Sequence, residues 1–388
     1  MSDGGTSSRL PLDGVVVLDL GVIVSAPLAA RTLQDLGATV IKVESLDGDP
    51  LRGGPATRGR RRFNFLSLNR GRQSVAVNLK HEEGRATVHR LVERADVVIE
   101  NFRPGVAQRL GVDADTLRVL KPSLIHCTIT GFPDESPRSG RPVTDGVMQA
   151  YCGVLELTGH GGSTGSPVPI IVADAVAGAN AAHAILAALI RRDRSGEGAH
   201  VKVSMFEGLL SWLHLTANLS TSHGPPSTCK FRTLDGKEIL VQPVLHFFPA
   251  FARVVDARAG CPELLTDDRF ATPEARAEHL EPLMHLLNDA FARRTSDDWL
   301  AALAEASVPA GPIQSLVDAL LSDESKAIEV KLDEDVMMMP GSPYLIDGMR
   351  ATSSPSAPAL GENSDEILTS AGFDALQISQ LRAAGAVR

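Results

Sequence analysis

The chain has 388 residues, 43% hydrophobic and 22% charged, with a net charge of −9. That length allows one large domain and a smaller one, each with a core, and the acidic balance excludes any general attraction to nucleic acid or an anionic membrane. A polyanionic ligand therefore needs a local basic patch, and with aromatics at 4% the interior must rely on close packing of small residues.

Four scattered cysteines (Cys127, Cys152, Cys229 and Cys261) form no CxxC pair. They read as reduced thiols, with neither a disulfide frame nor a metal site. The first residues lack an apolar signal core, and the run from Ala175 to Ile190 is interrupted by Asn180 and His183. It is too short to span a bilayer. The expectation is a cytoplasmic protein with no membrane or nucleic-acid partner.

In chain order, Gly14–Leu20 is a short β-branched run, Pro27–Leu36 has helical spacing ended by Gly37, and Ala38–Glu44 is a second strand. Ser74–Leu79 alternates, His81–Arg94 is an amphipathic helix, and Asp96–Glu100 and Leu124–Ile129 are further strands. Strand and helix in alternation predict an α/β fold whose mostly parallel sheet is covered on both faces. Beyond about residue 225 the pattern changes. Asp235-Gly236 sits between strand-like flanks as a hairpin turn. Helical stretches follow at Glu274–Arg293 and Ser296–Ala306, and Val308–Pro312 breaks them. The expected division is a large domain over 1–224, a smaller α+β domain over 225–315, and a segment over 316–388 that returns to the large domain.

Several chemistries have no signature. Gly21–Pro27, after the first strand, lacks GxGxxG, and GxxxxGK[ST] and HExxH are absent, so nicotinamide, ATP and zinc-protease readings are unsupported. Seven arginines (52, 58, 60, 61, 62, 70 and 72) crowd the stretch after the second strand. They read either as a phosphate-binding loop or as an ordinary solvated charge run. Asp174 follows an apolar run and opens a long helix, so it is either an N-cap or an ionised nucleophile held at a helix start. Alanines 177, 181, 184 and 188, with Gly178, let a neighbouring backbone approach that helix. Asn101 follows a strand and precedes a helix carrying Arg109; the two could bind a ligand, or Asn101 could simply cap. Thr144-Asp145 reads as another cap.

Together these segments resemble the family III CoA-transferases, the group of formyl-CoA and carnitine CoA-transferases. The likeness runs through Leu10–Asp19, Leu36–Glu44, Leu68–Arg72, Val98–Gly105, Ala173-Asp174, Gly196–Ser204, Val308–Pro312 and Leu360–Leu368. It implies a Rossmann-like large domain, an interlocked homodimer, and coenzyme A as substrate with no tightly bound cofactor. It also implies an acyl-CoA and a small carboxylic acid as partners. Asp174 falls on the family's catalytic aspartate, Asn101 and Arg109 on CoA-contacting positions, and Arg72, with Asn69 beside it, near the nucleotide part. Two departures stand out. Val24 replaces a glutamine, and Val241–Pro249 lacks the small domain's glycine-rich loop, which points to a more apolar acceptor pocket and away from oxalate. The alternatives are a 2-methylacyl-CoA racemase, which would need a histidine where Thr144 stands, and a CoA-binding protein without turnover.

Overall fold

The computed structural model describes residues 9–53, 60–159, 163–214, 228–332, 335–351 and 356–388. The chain divides into two units, Met1–Ala217 with Asp323–Arg388, and Asn218–Ser322.

The larger unit opens with β1 (Val16–Asp19), α1 (Ser25–Asp35), β2 (Thr39–Glu44), α2 (Arg60–Asn69) and β3 (Gln73–Ala76). Next come α3 (Glu82–Val92), β4 (Val97–Glu100), α4 (Val106–Leu110), α5 (Ala114–Leu120) and β5 (Ile125–Thr130). It continues with α6 (Asp145–Tyr151), α7 (Val154–Leu157), α8 (Val172–Ser195), β6 (Ala199–Ser204) and α9 (Met205–Trp212). The six strands pair in parallel in the order β3-β2-β1-β4-β5-β6. This is the doubly wound order, in which the succession of strands across the sheet reverses between β1 and β4.

The strands read as continuous apolar runs because both faces are buried. Val17, Val97 and Ile99 point into one core with α1 and α8. Their neighbours Leu18 and Val98 point into the other, which α3, α5 and the C-terminal residues Ile367, Leu368, Ile378 and Leu381 complete. The last helices, Ser364–Ser370 and Ala375–Ala383, thus cover the sheet.

Helix α8 is long and apolar enough to cross a bilayer, yet Val176, Ala177, Ala181 and Ile185 are buried against the sheet and α1. The small residues on it have a specific consequence. A Cβ at Gly178 would stand 2.8 Å from the Ser25 carbonyl and 3.0 Å from Leu28 Cβ. Only glycine lets α1 approach this closely, and the approach brings the first turn of α1 beside the first turn of α8.

In the smaller unit, Cys229–Arg232 and Glu238–Val241 form the hairpin expected around Gly236, which takes φ +76°. Ala310–Pro312, expected only to break a helix, adds the third strand at the edge, where proline's missing N–H is tolerated. The helical stretch from Glu274 divides into Pro273–Glu278 and Leu280–Phe291. Pro282 cannot donate to the Glu278 carbonyl, so a continuous helix fails there.

Candidate active site

In a doubly wound sheet, ligands meet the crevice at the carboxyl ends of the strands where the order reverses. Here that place lies beyond Asp19 of β1 and Glu100 of β4. A cavity of about 470 Å³ opens there, lined among others by Ile23, Val24, Ser25, Asn101, Thr144 and Asp174. Of the candidate catalytic and CoA-binding residues, Asn101 and Asp174 come together at this cavity, joined by Val24, Thr144 and Asp145.

Asp174 is the third residue of α8, and the helix start carries no cap from its own preceding residue. The cap comes from elsewhere. Asp145, the first residue of α6, accepts through Oδ1 from the backbone N–H of Ala173 at 2.6 Å and of Asp174 at 3.2 Å. Gln149, one turn on and buried, donates from Nε2 to Asp145 Oδ2 at 2.6 Å and accepts from the Val168 N–H at 2.9 Å. The capping role weighed for Asp174 therefore belongs to Asp145, and the Asp174 carboxylate is left for other work. Burial raises its pKa to about 6, the Asp145 charge adds to the rise, and the side chain and backbone of Ser25 pull the other way. A carboxylate that desolvation makes a stronger base, facing an open cavity, suits covalent catalysis.

Asn101 does not cap a helix. Helix α4 begins five residues later, at Val106, after Gly105 with φ +82°. Its side chain instead grips the loop after β1: Oδ1 accepts from the Val22 N–H and Nδ2 donates to the Val22 carbonyl, both at 2.9 Å. The exposed Arg109 is not on this cavity. Arg103 and Arg141 are. Arg103 lies inside the segment Val98–Gly105, three residues beyond the end of β4. Arg141 and Ser25 carried no sequence signal, since only the folded chain brings them here.

Arg72 and Asn69, expected near the nucleotide part of CoA, lie in the interior. Arg72 bonds Asp19 at 2.5 Å, Asn69 Oδ1 at 2.8 Å and the Pro27 carbonyl, and the Arg72 and Asp19 side chains are fully buried. Asn69 donates to the Phe65 carbonyl. The arginine-rich stretch is likewise no free cationic patch where it is described. Arg52 makes a two-pronged bond to Glu44, reaches the Pro358 carbonyl and lies over the Phe65 ring, and Arg70 binds the Ser67 and Pro340 carbonyls. Arg52 thus ties the returning segment to β2, and Arg70 ties it to the turn after α2. Arg58 and the side chains of Arg60, Arg61 and Arg62 lie outside the described residues. Arg72→Ala leaves Lys42, 3.6 Å away, as the remaining cation beside Asp19 among the described residues. It is expected to cost about 3 kcal/mol, read as a lower denaturant midpoint. Ligand binding is expected to stay near wild type, because Arg72 lines neither this cavity nor the next.

A second cleft of about 450 Å³ adjoins the first and shares Val22 and Phe102 with it. It runs over the ends of β2 and β3, past Ser45, Asn78 and Lys80. His126, on β5, lines neither cavity: it is fully buried, bonded to the Val112 carbonyl at 2.9 Å, and its pKa is pushed down to about 4 by burial.

The model of CoA-transferase family III matches residues 12–364. Acetyl-CoA:oxalate CoA-transferase of Acetobacter aceti is 32% identical over 369 residues, 91% of this chain and 93% of its own. Succinate–glutarate CoA-transferase of Agrobacterium fabrum is 31% identical over 379 residues, covering 92% and 95%. Among solved structures, a CAIB/BAIF family protein from Brucella suis matches with a TM-score of 0.80 at 30% identity, over 94% of this chain and all 100% of that one. The Rv3272 protein of Mycobacterium tuberculosis matches with a TM-score of 0.81 at 29% identity, over 92% and 99%.

Proposed function

The chain belongs to CoA-transferase family III, and from that premise we propose that it moves coenzyme A between carboxylic acids with Asp174 as the attacking carboxylate. The observation that carries the reading is the placement of Asp174: relieved of capping by Asp145, basic for a carboxylate, and open to the cavity.

The steps balance without an external energy source. An Asp174 oxygen attacks the thioester carbonyl and the C–S bond breaks, giving a mixed anhydride and CoA thiolate. The thiolate attacks the aspartyl carbonyl, the donor acid leaves as carboxylate, and CoA is held on Asp174 as a thioester. The acceptor carboxylate attacks that thioester and expels the thiolate, which then takes the acceptor's acyl group and frees Asp174. Each intermediate is an anhydride or a thioester, so the activation is conserved and no ATP is consumed. The paired clefts suit a long substrate, with the pantetheine arm reaching Asp174 and the nucleotide part over the ends of β2 and β3. Arg103, Arg141 and Lys80 offer charge to its phosphates. Val24 at the cavity favours an acceptor with apolar character over oxalate.

Thr144 lines the cavity and offers no titratable partner for α-proton exchange, so racemisation draws no support from it. Ile170 and Trp212, 64% and 57% exposed, leave apolar surface that a second copy of the chain would cover.

The test is trapping. Incubation with succinyl-CoA or acetyl-CoA and hydroxylamine, followed by peptide mass spectrometry, is expected to mark Asp174 as its hydroxamate only when acyl-CoA is present. Turnover of a panel of acceptor acids with Asp174 never marked would sink the covalent scheme.

A further inference from the structure

The loop after β1 is held in a way that the reaction scheme alone does not explain. Ile23 has φ +69°, a left-handed conformation that is a genuine outlier for a β-branched residue. Such strain persists only where the surroundings over-determine it, and it concentrates at functional sites. Here the determinants are countable. The Gly21 N–H donates to Asp19 Oδ1 and the Gly21 carbonyl accepts from Lys42 Nζ, both at 2.9 Å. Asn101 takes both backbone groups of Val22. The Ile23 N–H donates to Asp49 Oδ2 at 3.2 Å, and Asp49 is in turn paired with the buried Lys42 at 3.2 Å. Gly21 itself admits no side chain, since a Cβ there would lie 2.2 Å from Ala26 Cβ. Side chains from β1, β2, the loop after β2 and the loop after β4 thus converge on three residues. The next two residues, Val24 and then Ser25 at the start of α1, line the cavity, and Ser25 is the group that meets Asp174.

We infer that Asn101 is a positioning residue: by gripping both backbone groups of Val22 it fixes the left-handed turn at Ile23 and so sets Ser25 against Asp174. The inference rests on Asp174 being the attacking carboxylate. The alternative, a direct contact between Asn101 and CoA, leaves little hydrogen-bonding capacity to work with. An amide has two N–H donors, and both of Asn101's are used, on the Val22 carbonyl at 2.9 Å and on Ser25 Oγ at 3.2 Å. The amide orientation follows from the backbone, because the Val22 N–H must meet oxygen and its carbonyl must meet nitrogen. What remains for a ligand is one lone pair of Oδ1.

The experiment compares Asn101→Ala, Ser25→Ala, the double variant, and Asn101→Ala carrying Ile23→Gly, in the full-length protein, with Asp174→Ala as control. Asn101→Ala is expected to lower kcat about 10- to 100-fold, the penalty of a misplacement near 1 Å, with KM for acyl-CoA within about twofold of wild type. The double variant is expected to be no slower than Asn101→Ala, because both changes act through one contact. Ile23→Gly is expected to recover part of the lost kcat, because glycine populates positive φ as readily as negative. A raised KM with kcat intact, additive losses, or no recovery with glycine would overturn the inference. If Asn101→Ala is insoluble, Asn101→Asp, which keeps the acceptor for the Val22 N–H and loses both donors, is read by the same criteria. Full transfer by Asp174→Ala would instead sink the proposed function, and the two failures are told apart by that control.

Discussion

Asp174→Ala is expected to lower kcat by roughly 10⁴-fold or more, because removing the nucleophile of a covalent enzyme removes the step itself. That is a loss of about 5 kcal/mol or more in transition-state stabilisation. Burial and Asp145 hold the Asp174 pKa at about 6, above the roughly 3.9 of an unfolded aspartate. A raised folded pKa means that the native state binds the proton more tightly. The resulting stabilisation is fully present below about pH 4 and is lost as pH rises through about 6. At neutral pH the ionised carboxylate therefore costs the fold free energy, about 3 kcal/mol from the shift as an upper bound and nearer 1–2 after allowing for its contact with solvent. Asp174→Asn, which keeps the shape and removes the charge, is expected to melt higher than wild type at about pH 7.5, with the gap closing near pH 4. A variant that is both inactive and more stable separates a functional carboxylate from a structural one; activity steps measured by transfer assay and melts by calorimetry decide it.

How much of this could be read from the chain alone depended on whether the relevant contact was local. The parallel sheet was legible because β1, β2 and β4 place apolar residues on both faces, which shows as unbroken runs such as Val97–Ile99. The small-residue helix was legible too, and Gly178 against Ser25 gives the reason for it. The cap on α8 was not, because Asp145 and the N–H groups it accepts are 28 and 29 residues apart. Asp174 therefore read as an N-cap candidate, and Thr144-Asp145 as a cap of its own helix. The arginine-rich stretch misled for a similar reason. Charge counts in a sequence carry no burial, and Arg72 reaches Asp19 across 53 positions. Asn101 stood out as a polar contact for a ligand, but its partner, Val22, is 79 residues away. In each case the residue was noticed for its chemistry, and the fold decided what that chemistry was spent on.

The pH profile of kcat/KM tests the electrostatics of the site most directly, since it reports the ionisation of the free enzyme. Attack requires the carboxylate, so activity is expected to fall with a one-proton limb centred near 6 and to be flat above it until another group titrates. Asp145→Asn is expected to move that limb to lower pH. Burial, the larger cause of the shift, remains, and the like charge beside Asp174 is gone. The substitution keeps an amide oxygen for the Ala173 and Asp174 N–H groups, so the start of α8 stays capped. Gln149 Nε2 loses its acceptor on Oδ2, at a cost of about 1 kcal/mol in stability, which changes the melting point but not the direction of the limb. A limb that stays fixed in Asp145→Asn would show that burial alone sets the basicity of Asp174. A wild-type profile flat through pH 6 would show that Asp174 is not the ionising group on which the rate depends.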